Sequence, residues 1–420
     1  MTERDGDWNG GATATGTDLV PIPEAAPAAF DAVVVGGGPT GMTAALALAE
    51  EGLSVALLAP RVDRDPRTTA LLQPSVALLE RLGAWQHVGA AAAPLAVMRL
   101  VDDTGGLMRA PEIAFDAREI GLSAFGFNVP NDDLNAALRT RVAESDRLAT
   151  FETTLETLDL RPDAARLETA DGRTLTARLV VGADGRNSAV RAAARITARS
   201  WNYRQEALVT TLAHERPHDS VSTEIHKPAG PFTLVPLPGD RSSLVWMDRP
   251  ETIERANALS DPDLSAEIAR RAHRILGTMR VDGPRGVIDL TGLVAHRMAA
   301  RRSALVGEAG HRFPPIGAQG LNLGLRDVAV LAEVAGRAVA AGEDPGADAV
   351  LERYDRRRRL DVNARTAGVD LFNRSLLTDA LPVAFARAVG LGAARRIAPL
   401  RRLAMRAGLG GEVAEAFRLA

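Results

Sequence analysis

The chain of 420 residues contains no cysteine, which removes disulfides, thiolate catalysis and Cys-ligated zinc or iron–sulfur centres. Histidine is scarce at seven; the one His-Glu-x-x-His run, His214 to His218, is interrupted by Pro217 and falls in a β-like region, so no metal site is expected. Tyrosine is limited to Tyr203 and Tyr354, which leaves little material for a tyrosine relay that deprotonates a phenol. Lys227 is the only lysine, and the remaining positive charge is arginine, as a GC-rich genome would produce. A net charge of −3 argues against a general nucleic-acid binder. No apolar run is long enough to span a bilayer, so the cytoplasm is the expected location. Residues 1–29 lack a basic start followed by an apolar run. They read as a disordered leader and not as a secretory signal.

What is present is ordinary globular composition, 46% hydrophobic and 25% charged, over a length that exceeds one core. Two domains follow. The first ordered segment is "FDAVVVGGGPTGMTAALALAEEGLSVALLAP". Ala32 to Val35 read as a buried parallel strand, Pro39 to about Gly52 as a helix, and Leu53 to Leu58 as a second strand. Gly36, Gly38 and Gly41 have the G-x-G-x-x-G spacing in that context, which points to a bound dinucleotide. Gly36 permits the tight turn, Gly38 lets a pyrophosphate approach, and Gly41 lets the helix lie close to the sheet. The helix N-terminus offers free N–H groups to the phosphates. One expected part is missing: Ala59 stands where an acidic ribose ligand is usual, with Asp63 or Asp65 as loosely spaced substitutes.

Further along, Pro74 to Leu82 and Ser265 to Leu276 read as helices, and Phe232 to Trp246 as a hairpin turning at Pro238-Gly239-Asp240. Thr174 to Asp184 and Ser303 to Val306 read as strands, and long helices are expected over Gly320–Ala341 and Ala347–Ala367. Loops at 36–41, 184–191 and 307–322 then stand at strand ends, which meet at one crevice in an open parallel sheet.

Together these segments resemble the flavin-dependent aromatic hydroxylases of the para-hydroxybenzoate hydroxylase class, most closely the ubiquinone-biosynthesis hydroxylases. The likeness runs from about residue 30 to 410. It rests on "GGGPTG", "GADGRNSAVR" and "GEAGHRFPPIGAQGLNLGLRD", with "RTTALLQPSVALLERLG" and "LFNRSLL" in support. The resemblance implies an α/β fold: a Rossmann-like FAD-binding domain with a parallel sheet, a β-sheet-containing substrate domain and C-terminal helices. The expected division is a leader at 1–29 and a discontinuous FAD domain of 30–89, 131–195 and 296–368. The substrate domain would be 90–130 and 196–295, with a C-terminal helical segment at 369–420.

By the same resemblance, Gly36, Gly38 and Gly41 would cradle FAD, and Asp184 and Gly185 would serve FAD and the nicotinamide donor. Glu308 stands where the family has an aspartate that binds the ribitol. Gly320, Leu321 and Asn322 would present backbone to the isoalloxazine. Arg67 would lie near the flavin, and Pro314 and Pro315 would border the substrate. NADPH or NADH would reduce FAD, dioxygen would be the co-substrate, and a C4a-hydroperoxyflavin would oxygenate the ring. A single G-x-G-x-x-G unit implies that the nicotinamide has no Rossmann fold of its own.

Several features carry plainer readings. His311 is expected to anchor its loop by hydrogen bonding, and His214, His218 and His226 to lie at the surface. "RRRR" at Arg356 to Arg359 reads as a solvated helix face. "PFTLVPLP", Pro231 to Pro238, is expected to face a hydrophobic ring or prenyl chain. "RRIAPLRRLAMR" could pack as a terminal helix, or attach peripherally to the inner membrane or a biosynthetic complex. The substrate is then an aromatic small molecule or prenylated lipid, first of all a polyprenylated ubiquinone precursor. The alternatives are a non-prenylated aromatic or a non-catalytic scaffold with decayed FAD binding. A halogenase is disfavoured, because neither Trp201 nor Trp246 sits in a Trp-x-Trp-x-Ile-Pro pattern.

Overall fold

The computed structural model describes residues 28–60, 65–105, 110–314, 319–376, 392–393 and 395–409. The expected leader up to residue 27, Asp63, Pro315 and much of the segment from 377 onward lie outside the described residues.

Strand Ala28–Val35 sits at the centre of a parallel set, between Thr174–Gly182 and Val55–Leu58. Ser303–Leu305 and Leu148–Phe151 extend that set at its two ends. Three antiparallel strands complete eight among the described residues. The apolar run of the central strand is continuous because both its faces are covered. Ala32 and Val34 pack against helices Pro39–Glu50 and Gln319–Ala340, while Val33 and Val35 pack on Val190, Leu305 and their neighbours.

A second sheet has nine strands among the described residues, most of them antiparallel. It is assembled from Val97–Asp102 and Ile113–Asp116, from strands between Ala198 and Ala295, and from the short His311–Arg312. A three-stranded sheet of Thr68–Leu72, Ala93–Pro94 and Gly126–Pro130 links the two. Thr68 Oγ1 donates to Ser243 Oγ at 2.9 Å, and Asn128 Nδ2 donates to the Pro236 carbonyl at 2.9 Å.

Some elements differ from their sequence readings. The helix expected over Ser265–Leu276 runs from Asp261 to Arg271. Ser260 caps its N-terminus by accepting from the Asp263 N–H, and His273 and Arg274 turn to positive φ just past its end. Pro231 to Pro238 line neither of the two cavities described below. Phe232 and Leu234 are instead buried beneath the helices carrying Ile253, Leu264 and Ile268, and stack toward Trp246. His214 and His226 are buried, not at the surface. Each ring is held by a hydrogen bond, His214 to Ser242 Oγ and His226 to Glu224.

The "RRRR" face is likewise not uniformly solvated. Arg356 and Arg357 are exposed, but the Arg358 side chain is only 3% exposed. Its Nε donates to Asp327 Oδ1 at 2.7 Å, and its Nη1 to Asp361 Oδ2 at 2.7 Å. Asp327, wholly buried in the middle of helix Gln319–Ala340, also accepts from the Gly307 N–H at 2.9 Å and pairs with His311 Nε2 at 2.6 Å. Burial pushes the Asp327 carboxyl up, but the His311 and Arg358 charges, then the hydrogen bonds from His311 and Gly307, hold it below its ordinary 3.8. A depressed carboxylate stabilises the fold above its unfolded pKa, and that stabilisation fades as pH falls through the lower folded value. We expect Asp327→Asn to cost about 3–5 kcal/mol in urea unfolding at neutral pH, because Arg358 loses its buried counter-charge. The difference from wild type should shrink below about pH 4.

Candidate active site

The three glycine loops converge as expected. They line one polar cavity of about 400 Å³ at the ends of the parallel strands, with Gly38, Gly185, Gly307, Glu308, Gly320 and Leu321 on its wall. Gly36 has φ +123°, and a Cβ there would stand 2.3 Å from the Ala183 carbonyl oxygen. A Cβ on Gly41 would stand 1.9 Å from the Gly36 oxygen, so the helix start could not close on the turn. Gly38 is different: a Cβ there would meet nothing within 4 Å and would point into open space. Helix Pro39–Glu50 begins at Gly38 with no side-chain cap, so its first N–H groups are left for a ligand. Cavity, open glycine and uncapped helix start fit a pyrophosphate, and these residues would hold that part of FAD.

The other expected residues divide into those at the cavity and those behind it. Arg67 and Pro314 are on the wall, and Glu308 is about half exposed there, 3.7 Å from Arg312 Nε. Arg312 Nη1 in turn donates to Thr291 Oγ1 at 2.6 Å. Arg67 is fixed by a two-pronged pair with Asp65, at 2.7 and 2.6 Å, and Asp65 also accepts from Asn131 Nδ2 at 2.8 Å. Asp65 lines the cavity too, whereas Ala59 packs against the Gly37 backbone.

Asp184 Oδ2 accepts from the Val190 N–H at 3.1 Å, while its buried Oδ1 has no partner among the described residues. Asn322 does not reach the cavity wall. Its side-chain oxygen accepts from the Leu72 N–H at 2.8 Å and the Ser75 hydroxyl at 2.7 Å, and its Nδ2 donates to the Ala70 carbonyl at 2.8 Å. It braces strand Thr68–Leu72 and leaves Gly320 and Leu321 to form the wall.

A second cavity, also about 400 Å³, lies on the far side of this brace. It is walled by Leu72, Met98, Leu100, Phe115, Phe125 and Gln319, and roofed by helix Ala398–Leu409 through Ala404, Met405, Gly408 and Leu409. Glu119 clamps Arg401 of that helix at 2.7 and 2.9 Å, and Arg326 Nη2 donates to the Leu409 carbonyl at 2.7 Å. Gln319 lines this cavity, while its neighbours Gly320 and Leu321 line the first.

Sequence reasoning missed Asp327, the Asp65–Arg67–Asn131 cluster and the Asn322 brace, and it gave the terminal helix as one that could pack without placing it over a cavity. A signal existed for the first: an Arg-Asp pair inside the apolar run "LGLRDVAVLA" calls for buried partners.

A polar cavity with a pyrophosphate cradle beside a separate apolar one is the arrangement of a flavin-dependent monooxygenase. Residues 29–367 match the FAD binding domain family, and the chain belongs to it. It is 41% identical over 402 residues to the ubiquinone hydroxylase UbiL of Rhodospirillum rubrum, covering 93% of this chain and 92% of that one. It is 34% identical over 388 residues to the 3-demethoxyubiquinol 3-hydroxylase of Escherichia coli, covering 90% and 97% of the two chains. The p-nitrophenol 4-monooxygenase PnpA of Pseudomonas putida shares the fold. Its TM-score is 0.74 at 21% identity, covering 92% of this chain and 99% of that one. The protein is an FAD-dependent aromatic hydroxylase, with NAD(P)H and dioxygen as the usual reductant and co-substrate of its kind.

The glycines separate two effects. Gly38→Ala should leave apoprotein stability within about 0.5 kcal/mol of wild type and weaken FAD binding, read by fluorescence titration. Gly41→Ala, which overpacks the turn, should cost about 1–3 kcal/mol in urea unfolding even without FAD.

Proposed function

We propose that the protein hydroxylates the ring of a polyprenylated ubiquinone precursor. The observation that carries this reading is the pair of cavities that meet at Gln319 and Gly320, one of mixed polar and apolar lining and one almost wholly apolar. The names of the relatives favour a ubiquinone precursor over a non-prenylated aromatic or a scaffold.

Bound FAD supplies the reduction by NAD(P)H and the activation of dioxygen. This chain's residues supply place and dryness. Gly36, Gly38 and Gly41 would seat the pyrophosphate, with Asp184 and Gly185 beside them, and Glu308, 3.7 Å from Arg312, would meet the ribitol. Arg67, fixed by Asp65, puts a positive charge at the cavity wall. Gly320 and Leu321 offer a backbone edge to the isoalloxazine at a helix N-terminus, where negative charge is stabilised. Asn322 holds that edge from behind. Pro314 borders the substrate ring on the loop that also contains Pro315. The apolar cavity takes the ring and the first part of its chain and excludes water, which keeps oxygen transfer coupled to reduction.

The roofing helix also supports peripheral attachment to an anionic bilayer. Met405 and Leu409 face inward, while Leu400 and Leu403 are 41% and 65% exposed on its outer side, with Ile397 just ahead at 51%. Exposed Arg395, Arg396, Arg402 and Arg406 flank them. No helix among the described residues is long and apolar enough to cross a membrane. A lipid substrate would then leave the bilayer directly beneath the helix that covers its cavity. A cytoplasmic protein resting on the inner membrane fits this reading.

Purified protein should show the visible absorbance of oxidised flavin. A phenol bearing a short isoprenoid chain should stimulate its NAD(P)H oxidation and emerge with one added oxygen by mass spectrometry. Colourless protein that ignores added FAD would end the proposal. Leu403→Asp should reduce binding to anionic vesicles about tenfold in co-sedimentation, the loss of one buried leucine side chain, without changing the melting temperature.

A further inference from the structure

The apolar cavity contains a carboxylate that its packing does not require. Among the described residues on its wall, the polar side chains are Glu224, Gln319 and Arg365. The last two engage each other and a neighbour: Arg365 Nη1 donates to Gln319 Oε1 at 3.3 Å, and its Nε to Asp361 Oδ1 at 2.8 Å. Glu224 comes from the opposite wall, on strand Val221–Lys227. In register it stands beside Leu100 of the parallel neighbouring strand, and Leu100 and Met98 form the cavity floor with it. Two residues on, facing the same way, His226 is 1% exposed, and its Nε2 lies 2.7 Å from Glu224 Oε1. An acidic side chain set against leucine, methionine and phenylalanine is costly unless it is paired and used. The histidine pairs one oxygen and leaves the carboxylate at the cavity.

We propose that Glu224, held by His226, is the general base for the hydroxylation, taking the proton of the substrate's ring hydroxyl. This rests on the reading of the apolar cavity as the site of a phenolic ring. As a ring carbon bonds to the terminal OH of a hydroperoxide derived from dioxygen, the O–O bond breaks with its electron pair leaving on the inner oxygen, and the substrate's O–H bond breaks. Its electron pair moves into the ring, and the proton passes to the Glu224 carboxylate. The new sp3 carbon then loses its hydrogen as a proton, which neutralises the departed inner oxygen, the ring regains aromaticity, and Glu224 returns its proton to the ring oxygen. The carboxylate is restored, and the product carries one more hydroxyl. The base need not deprotonate the phenol beforehand, because the proton moves as positive charge develops on the ring. Tyr203 and Tyr354 do not line this cavity, so the tyrosine relay that the sequence made unpromising is replaced by a carboxylate–imidazole pair. The charged groups around Glu224 are His226 on its own strand, Asp102 opposite His226 in register, and Arg365 with Asp361 from helix Asp348–Leu376.

The test compares FAD-loaded wild type, Glu224→Gln, Glu224→Asp and His226→Asn on a geranyl-substituted phenol and its methyl ether. Phenol binding is read by its perturbation of the flavin spectrum. Glu224→Gln should bind the phenol within about threefold of wild type and lose about 10²-fold in kcat, with reductant oxidation diverted to hydrogen peroxide. Wild-type kcat should fall on the acid side, Glu224→Gln should show no such limb, and Glu224→Asp should restore part of the rate. The methyl ether, which has no proton to give, should react equally slowly with wild type and Glu224→Gln. A Glu224→Gln rate within about threefold of wild type, or an unchanged acid limb, overturns the assignment. Wild type that neither binds nor oxygenates the phenol removes the substrate reading, and the base with it.

Discussion

The carboxylate of Asp327 is the point on which the cofactor end of the molecule depends. It is wholly buried and receives the Gly307 N–H, the His311 ring and the Arg358 guanidinium, so one side chain ties a glycine loop, a short strand and two long helices together. Gly307 has φ +60°, a backbone state that few residues adopt, and its N–H is fixed in that state by this bond. A loop so rich in glycine would fold at high entropic cost on its own. Here Gly307 and His311 at its start are pinned from the helix that follows it.

A second consequence of that anchoring is the separation of two environments. Helix Gln319–Ala340 is fixed by Asp327, and its first turn carries Gln319 toward one cavity and Gly320 toward the other. Asn322, one turn ahead of Asp327, ties the same helix to Ala70 and Leu72. Backbone polarity is thus concentrated on one side, while leucine, methionine and phenylalanine predominate on the other, with Glu224, Gln319 and Arg365 as the polar side chains among its described wall residues. Oxygen chemistry at a ring needs that boundary, since the reacting atoms must meet across it while water stays out.

Much of this was legible in the sequence because it depends on local patterns. The alternation of strand, glycine turn and Ala-rich helix placed the parallel sheet and the first cradle, and the resemblance of "GADGRNSAVR" and "GEAGHRFPPIGAQGLNLGLRD" to known motifs placed the other two loops. The FAD-dependent hydroxylase class was readable for the same reason. Pairings distant in sequence were not legible. Asp327 with Arg358, Asn322 with Leu72, and Glu119 with Arg401 join residues 31, 250 and 282 positions apart, and nothing local announces them. Arg358 looked like its exposed neighbours because charge runs do not reveal which member points inward. Pro231 to Pro238 looked like a pocket wall because apolar character alone cannot tell which core a strand serves.

The order in which the chain leaves the ribosome adds a constraint of its own. The end of strand Thr174–Gly182, Val180 to Gly182, must wait for Ser303–Leu305 before its outer edge is paired, and the carboxylate that secures the loop after Ser303–Leu305 waits for Arg358. For more than a hundred residues of synthesis, a nascent half-sheet therefore presents an open edge of unpaired N–H and C=O groups to whatever is nearby. Vectorial folding cannot finish the nucleotide pocket from its first motif onward. Arg358, which emerges well after the first motif, is one of the residues that lock it.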